Sequence, residues 1–71
     1  KKMTLKRFQM DEWVIYDPFK NNAILTRPQR AVILYVYPAS ERSMYDYEIY
    51  IDEEPGIYKK VLDKDLHYPD S

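Results

Sequence analysis

The stretch Ala31 to Tyr37, A-V-I-L-Y-V-Y, constrains this chain more than any other. It is aliphatic, β-branched and aromatic throughout, the side-chain chemistry of a strand. A strand sends successive side chains to opposite faces, so Val32, Leu34 and Val36 are expected on one face and Ala31, Ile33, Tyr35 and Tyr37 on the other. Both faces are apolar or amphipathic. That pattern marks a central strand, packed on the core on one side and carrying an aromatic surface on the other.

Three more segments read as strands. Glu12 to Tyr16 (E-W-V-I-Y) is β-branched and aromatic, and Asp17-Pro18 ends it because proline has no N–H to give a ladder. Tyr45 to Ile51 alternates, with Tyr45, Tyr47, Ile49 and Ile51 inward and Asp46, Glu48 and Tyr50 outward. Asp52-Glu53-Glu54-Pro55-Gly56 predicts a type II turn, in which proline presets φ and glycine takes φ above zero. The chain returns as Ile57 to Leu62. Asp63 to Leu66 reads as one helical turn with Asp63 as its N-cap and Leu66 tucked inward. A long connection from Asp17 to Gln29 joins the first two strands, with Phe19, Ile24 and Leu25 available to pin it.

The order of these pieces resembles the SH3-like small barrels of the Tudor, KOW and chromo-like type. There an aromatic residue precedes a short first strand of the form G-D-x-V. Here Phe8 is followed by Asp11-Glu12-Trp13-Val14, without the usual glycine. A long loop, a central strand at Ala31 to Tyr37, a hairpin at Tyr45 to Val61 and a closing turn at Asp63 to Leu66 complete the likeness, which covers Phe8 to Tyr68. It implies an all-β fold: a small SH3-like five-stranded, partly open barrel with a long first loop and a short helical turn near the C-terminus. Residues 1–7 are then a basic N-terminal extension, 8–68 the single barrel domain and 69–71 a tail. A core of Trp13 or Val14 with Val32, Leu34, Val36, Tyr47, Ile49, Ile51 and Leu66 suits a chain of 71 residues.

Composition narrows the chemistry. The chain has no cysteine, which removes disulfides, thiolate zinc sites and cysteine nucleophiles together. No apolar run approaches the ~18 residues of a membrane span, and the start, Lys1-Lys2-Met3-Thr4-Leu5, lacks the apolar stretch expected of a signal peptide. These features point to a cytoplasmic setting without membrane contact, and Lys1 in the place of an initiator methionine suggests a trimmed chain or an excised domain. His67 is the only histidine, Ser40, Ser43 and Ser71 lie in loop or tail sequence without a G-x-S-x-G elbow, and Gly56 alone makes no phosphate-binding loop. No catalytic residue, enzyme activity or cofactor is therefore expected. Asp63-x-Asp65-x-His67 would offer oxygen and imidazole ligands from one side of an extended segment, but Asp63 has a role as a helix cap, and no metal is expected.

Binding surfaces remain. Tyr35, Tyr37 and Tyr50 fall opposite the expected core, and tyrosine is enriched at interfaces. The alternative is that Tyr35 and Tyr37 cover a second core beneath the long loop. With Phe19 and Arg27 in the loop, and Asp52, Glu53 and Glu54 steering, the tyrosines predict a non-catalytic module that binds a larger protein or complex as an adaptor or inhibitor. A methyl-lysine cage would need rings to converge, with Trp13 and Tyr16 as candidates. Charge supplies a second reading. Residues 1–30 hold seven basic and three acidic side chains, whereas residues 31–71 hold four basic and nine acidic ones. Lys2, Lys6, Arg7, Lys20, Arg27 and Arg30 are thus candidates for binding nucleic acid, with Phe8, Trp13 and Phe19 to stack bases. An isoelectric point near 5.7 and the acidic hairpin oppose that reading. A strand edge near Tyr16 or Tyr58 would also allow self-pairing.

Overall fold

The computed structural model describes residues 6–18 and 27–70. Five strands follow in order: β1 (Trp13–Tyr16), β2 (Gln29–Val36), β3 (Tyr47–Ile51), β4 (Ile57–Val61) and β5 (Leu66–His67). A single 3₁₀ turn, Asp63–Asp65, separates β4 from β5. All pairings are antiparallel, in one sheet of order β4-β3-β2-β1-β5. The protein is all-β, and its sheet is that of a partly open five-stranded barrel, with β4 and β5 as its unjoined ends. The long first loop expected from sequence lies largely in residues 19–26, outside the described residues.

The core consists of Phe8, Val14, Ala31, Ile33, Tyr47, Ile49, Ile51, Val61 and Leu66. Strand β3 follows its alternation: Tyr47, Ile49 and Ile51 are buried. Tyr45 lies before the strand begins and is exposed, against expectation. Of the pair Trp13 or Val14, Val14 enters the core.

Strand β2 departs from simple alternation. Ala31 and Ile33 are fully buried, while Val32 and Leu34, expected in the core, are only half-buried. Val32 alternates regularly with buried Ala31 and Ile33 and takes the outer face opposite Tyr50, and a β-bulge follows: Ile33 pairs with Ile49 and Tyr35 with Glu48, leaving Leu34 as an extra residue. The bulge reverses the phase, so Ile33 before it and Val36 after it both turn toward the core.

Two local expectations are corrected. The turn after β3 is not type II: the Glu54–Pro55 peptide bond is cis and no glycine has a positive φ. Gly56 is needed for space instead, because a Cβ there would overlap the ring of Tyr50. The 3₁₀ turn is not capped by Asp63 either. Leu62 occupies the N-cap without a side-chain bond, and the Asp63 N–H is taken by Asp46 Oδ2 at 2.8 Å, from 17 residues upstream. Leu66 is buried as expected.

The segment before β1 is shaped by Asp11, whose φ of 72° lies in the left-handed region that aspartate tolerates better than most residues. It sits in a turn closed by the Glu12 N–H on the Gln9 carbonyl at 3.2 Å. This is the neighbourhood where the resembled barrels place glycine. The turn delivers Phe8 into the core, edge-on to Tyr47 and Tyr68 with ring centroids 5.6 and 4.8 Å away.

Candidate functional site

Register decides what the outer face of the sheet presents. Trp13 pairs with Val32, Val32 with Tyr50, and Tyr50 with Tyr58. Cross-strand partners share a face, so these four side chains form one apolar row across β1 to β4, opposite the core. Trp13 and Tyr58 are exposed, and Val32 and Tyr50 half-buried. The Tyr50 and Tyr58 rings lie 5.1 Å apart, and the Arg30 guanidinium stacks 4.7 Å from the Trp13 ring. Ile15 pairs with Arg30 in the row on one side. On the other side Tyr35 pairs with Glu48, and Glu48 with Lys60.

The bulge brings Tyr35 out onto this face beside that row. Its ring meets Tyr37 edge-on at 5.0 Å, and its hydroxyl donates to Glu41 at 3.2 Å, which raises its pKa. Tyr35 is exposed and Tyr37 half-buried. Tyr35, Tyr37 and Tyr50 thus share one face, joined by Trp13, Tyr58 and Arg30. The sequence offers Tyr58 only as a candidate strand edge; the β3–β4 register is what pairs it with Tyr50 on this face.

The basic N-terminal candidates have a different environment. Lys6 Nζ lies 2.7 Å from Asp46 Oδ1, and this bond holds the Asp46 carboxyl below its usual range. Arg7 Nε donates to Asp63 Oδ1 at 2.8 Å, and Nη2 reaches the carbonyls of Asp63 and Leu66 at 3.0 and 3.2 Å. The Asp63 contact raises the Arg7 pKa. Asp63 Oδ2 also accepts the Tyr47 hydroxyl at 2.8 Å, and that hydroxyl accepts the Phe8 N–H at 3.2 Å. Burial pushes the Tyr47 phenol up to about 12. Tyr68 completes the clamp: its hydroxyl lies 2.9 Å from Glu12 Oε1 and 3.1 Å from the Arg7 carbonyl.

Arg27, Asp52 and Glu54 are exposed and Glu53 is half-buried. Lys2, Phe19 and Lys20 lie outside the described residues. The cage of Trp13 and Tyr16 does not form. Three positions apart on β1, they point to opposite faces, and Tyr16 turns to the inner side, where Lys59 Nζ sits 6.0 Å from its ring.

His67 Nε2 stands 3.7 Å from the buried Asp17 carboxylate, and its Nδ1 lies 3.0 Å from the Tyr68 carbonyl. Ser40 and Ser43 are exposed. Among the described residues no three His, Asp or Glu side chains are grouped to hold a metal ion, and no helix is long and apolar enough to cross a membrane. Comparison with known proteins finds no match to a protein family, a curated protein or a solved structure.

Proposed function

We propose that this chain is a non-catalytic binding module that engages another protein through the outer face of its sheet, as an adaptor or inhibitor. The observation that carries this reading is the single row Trp13, Val32, Tyr50 and Tyr58, with Arg30 stacked on Trp13. Trp, Tyr and Arg are the residue types that dominate binding energy at protein interfaces. Here Tyr50 packs against Tyr58 and Arg30 against Trp13, contacts that restrict these side chains before association. Arg30 and Lys60 are offset by Glu48 and Asp52 nearby, and such a mixed surface suits a protein better than a phosphate backbone. The nucleic-acid reading draws less support, because Lys6 and Arg7 are already bonded to Asp46 and Asp63.

Affinity capture from lysate, with and without nuclease, tests the proposal against Trp13→Ala and Tyr50→Ala variants shown by circular dichroism to be folded. The expected outcome is a nuclease-resistant protein partner whose capture falls at least ~100-fold in either variant, in line with loss of an interface anchor. Recovery of nucleic acid that leaves at modest salt would overturn it, as would undiminished capture by both variants.

A further inference from the structure

Strand β4 ends the sheet, and its residues Ile57 to Lys60 are all exposed, with Tyr58 at 68%. The direction of its backbone groups follows from β3. The Asp52 N–H donates to the Arg30 carbonyl at 2.9 Å, so the even-numbered residues of β3 bond toward β2 and the odd-numbered ones toward β4. Tyr47, Ile49 and Ile51 therefore bond their partners Val61, Lys59 and Ile57. The N–H and C=O groups of Tyr58 and Lys60 point the other way, out from the sheet edge. Among the described residues no strand pairs with that edge.

The charges along this hairpin are ordered. Glu53 and Glu54 stand in the turn at its start, and Lys59 and Lys60 at the far end of β4. An antiparallel partner of identical sequence meets this order reversed, with its lysines beside the acidic turn and its acidic turn beside the lysines. A two-fold axis makes that match twice.

We propose that the β4 edge pairs antiparallel with β4 of a second copy, the two-fold axis lying at Tyr58. In that register Tyr58 faces its own counterpart, Ile57 stands opposite Lys59 of the second copy, and Lys60 lies opposite Gly56, whose side-chain position the Tyr50 ring fills, two residues along the chain from Glu54. The outward N–H and C=O of Tyr58 and Lys60 meet matching groups. The row Trp13, Val32, Tyr50 and Tyr58 then continues without a break into the same row of the other copy. A register centred on Lys60 instead sets like charges face to face, which opposes pairing. One strand edge is a small interface, so association belongs in the micromolar to millimolar range. The pairing depends on the β4 edge and its charges, independently of any partner on the outer face.

Sedimentation equilibrium over a micromolar to millimolar series tests it, using the wild-type chain, the double variant Lys59→Glu/Lys60→Glu and the double variant Glu53→Lys/Glu54→Lys. All are checked for fold by circular dichroism; of the altered side chains Glu54, Lys59 and Lys60 are exposed and Glu53 is half-buried. The wild type is expected to approach twice the monomer mass. Each variant alone is expected to associate at least ~10-fold more weakly, because like charges then meet across the axis. An equimolar mixture of the two regains association as a heterodimer. A wild type that stays monomeric throughout would overturn the proposal. So would variants that dimerise like the wild type, or a mixture that fails to associate.

Discussion

Tyr47 and Tyr58 occupy adjoining strands of one sheet and live in opposite surroundings. Tyr47 is fully buried, its hydroxyl held between the Phe8 N–H and the Asp63 carboxylate. Tyr58 is the more exposed ring of a tilted pair with Tyr50 at the sheet edge. The first belongs to a clamp that ties Lys6 to Phe8 onto the 3₁₀ turn, and the second to a row of apolar side chains facing solvent. The difference teaches how a chain with eight tyrosines divides its work. Where the ring is enclosed, the polar end must find partners or oppose folding. Where the ring lies open, area and hydroxyl both stay available to another surface.

Truncation should separate the two regions most widely. Phe8→Ala is expected to cost about 3–5 kcal/mol, against the ~4–10 kcal/mol of total stability typical for a chain of this length, leaving the protein near or past unfolding. Tyr58→Ala should stay within about 0.5–1 kcal/mol. Urea denaturation followed by circular dichroism reads both, and equal costs would erase the distinction.

A finer contrast lies in the hydroxyl alone. Tyr47→Phe keeps the ring but strands the Phe8 N–H, at an expected cost of about 1–3 kcal/mol. It also changes the response to alkali. The Tyr47 phenol titrates near 10 in the unfolded chain and at about 12 in the folded one, so the folded state holds that proton more tightly. Its contribution is full below pH 10 and falls as pH rises toward 12. Denaturation curves through that alkaline range should therefore fall less steeply for Tyr47→Phe than for the wild type.

The smallest effect is expected at the rim of the clamp. Lys6 keeps the Asp46 carboxyl below its usual range, so its stabilisation is present above about pH 4 and fades as acid protonates it. Asp46→Asn should flatten the acid limb of the stability curve. The change should be modest, because the pair is partly open to water. An acid limb unaltered by the substitution would show that Lys6 is held without help from its charge partner.

These contrasts also explain how far the sequence could be read. Strand β3 was legible because Tyr47, Ile49 and Ile51 alternate with Glu48 and Tyr50 without interruption. On β2 both faces are apolar, so alternation alone did not say that Ala31 and Ile33 face inward and Val32 outward, and it assumes one residue per partner where the bulge inserts Leu34 without one. β5 is two residues long and carries no pattern of its own. The outer row was half visible. Tyr50 was marked by its parity, whereas Tyr58 and Trp13 joined it only through register, a property of strand pairs. The clamp was hidden for a similar reason: Lys6 and Arg7 read as free cations until the fold set Asp46 and Asp63 beside them.

The clamp also bears on how the chain reaches its native state. Arg7 meets Leu66 and Tyr68 across 59 and 61 residues, and Phe8 meets Tyr47 across 39. Bonds between such distant points close only after most loop entropy has been surrendered, which makes folding slow relative to helical chains of equal size. During synthesis, a nascent chain that has not yet exposed Asp63 to Tyr68 has no acceptor for Arg7 and no lid over Phe8. The clamp therefore closes only after residue 68 has been translated, whereas the β1–β4 pairings lie within residues 13–61.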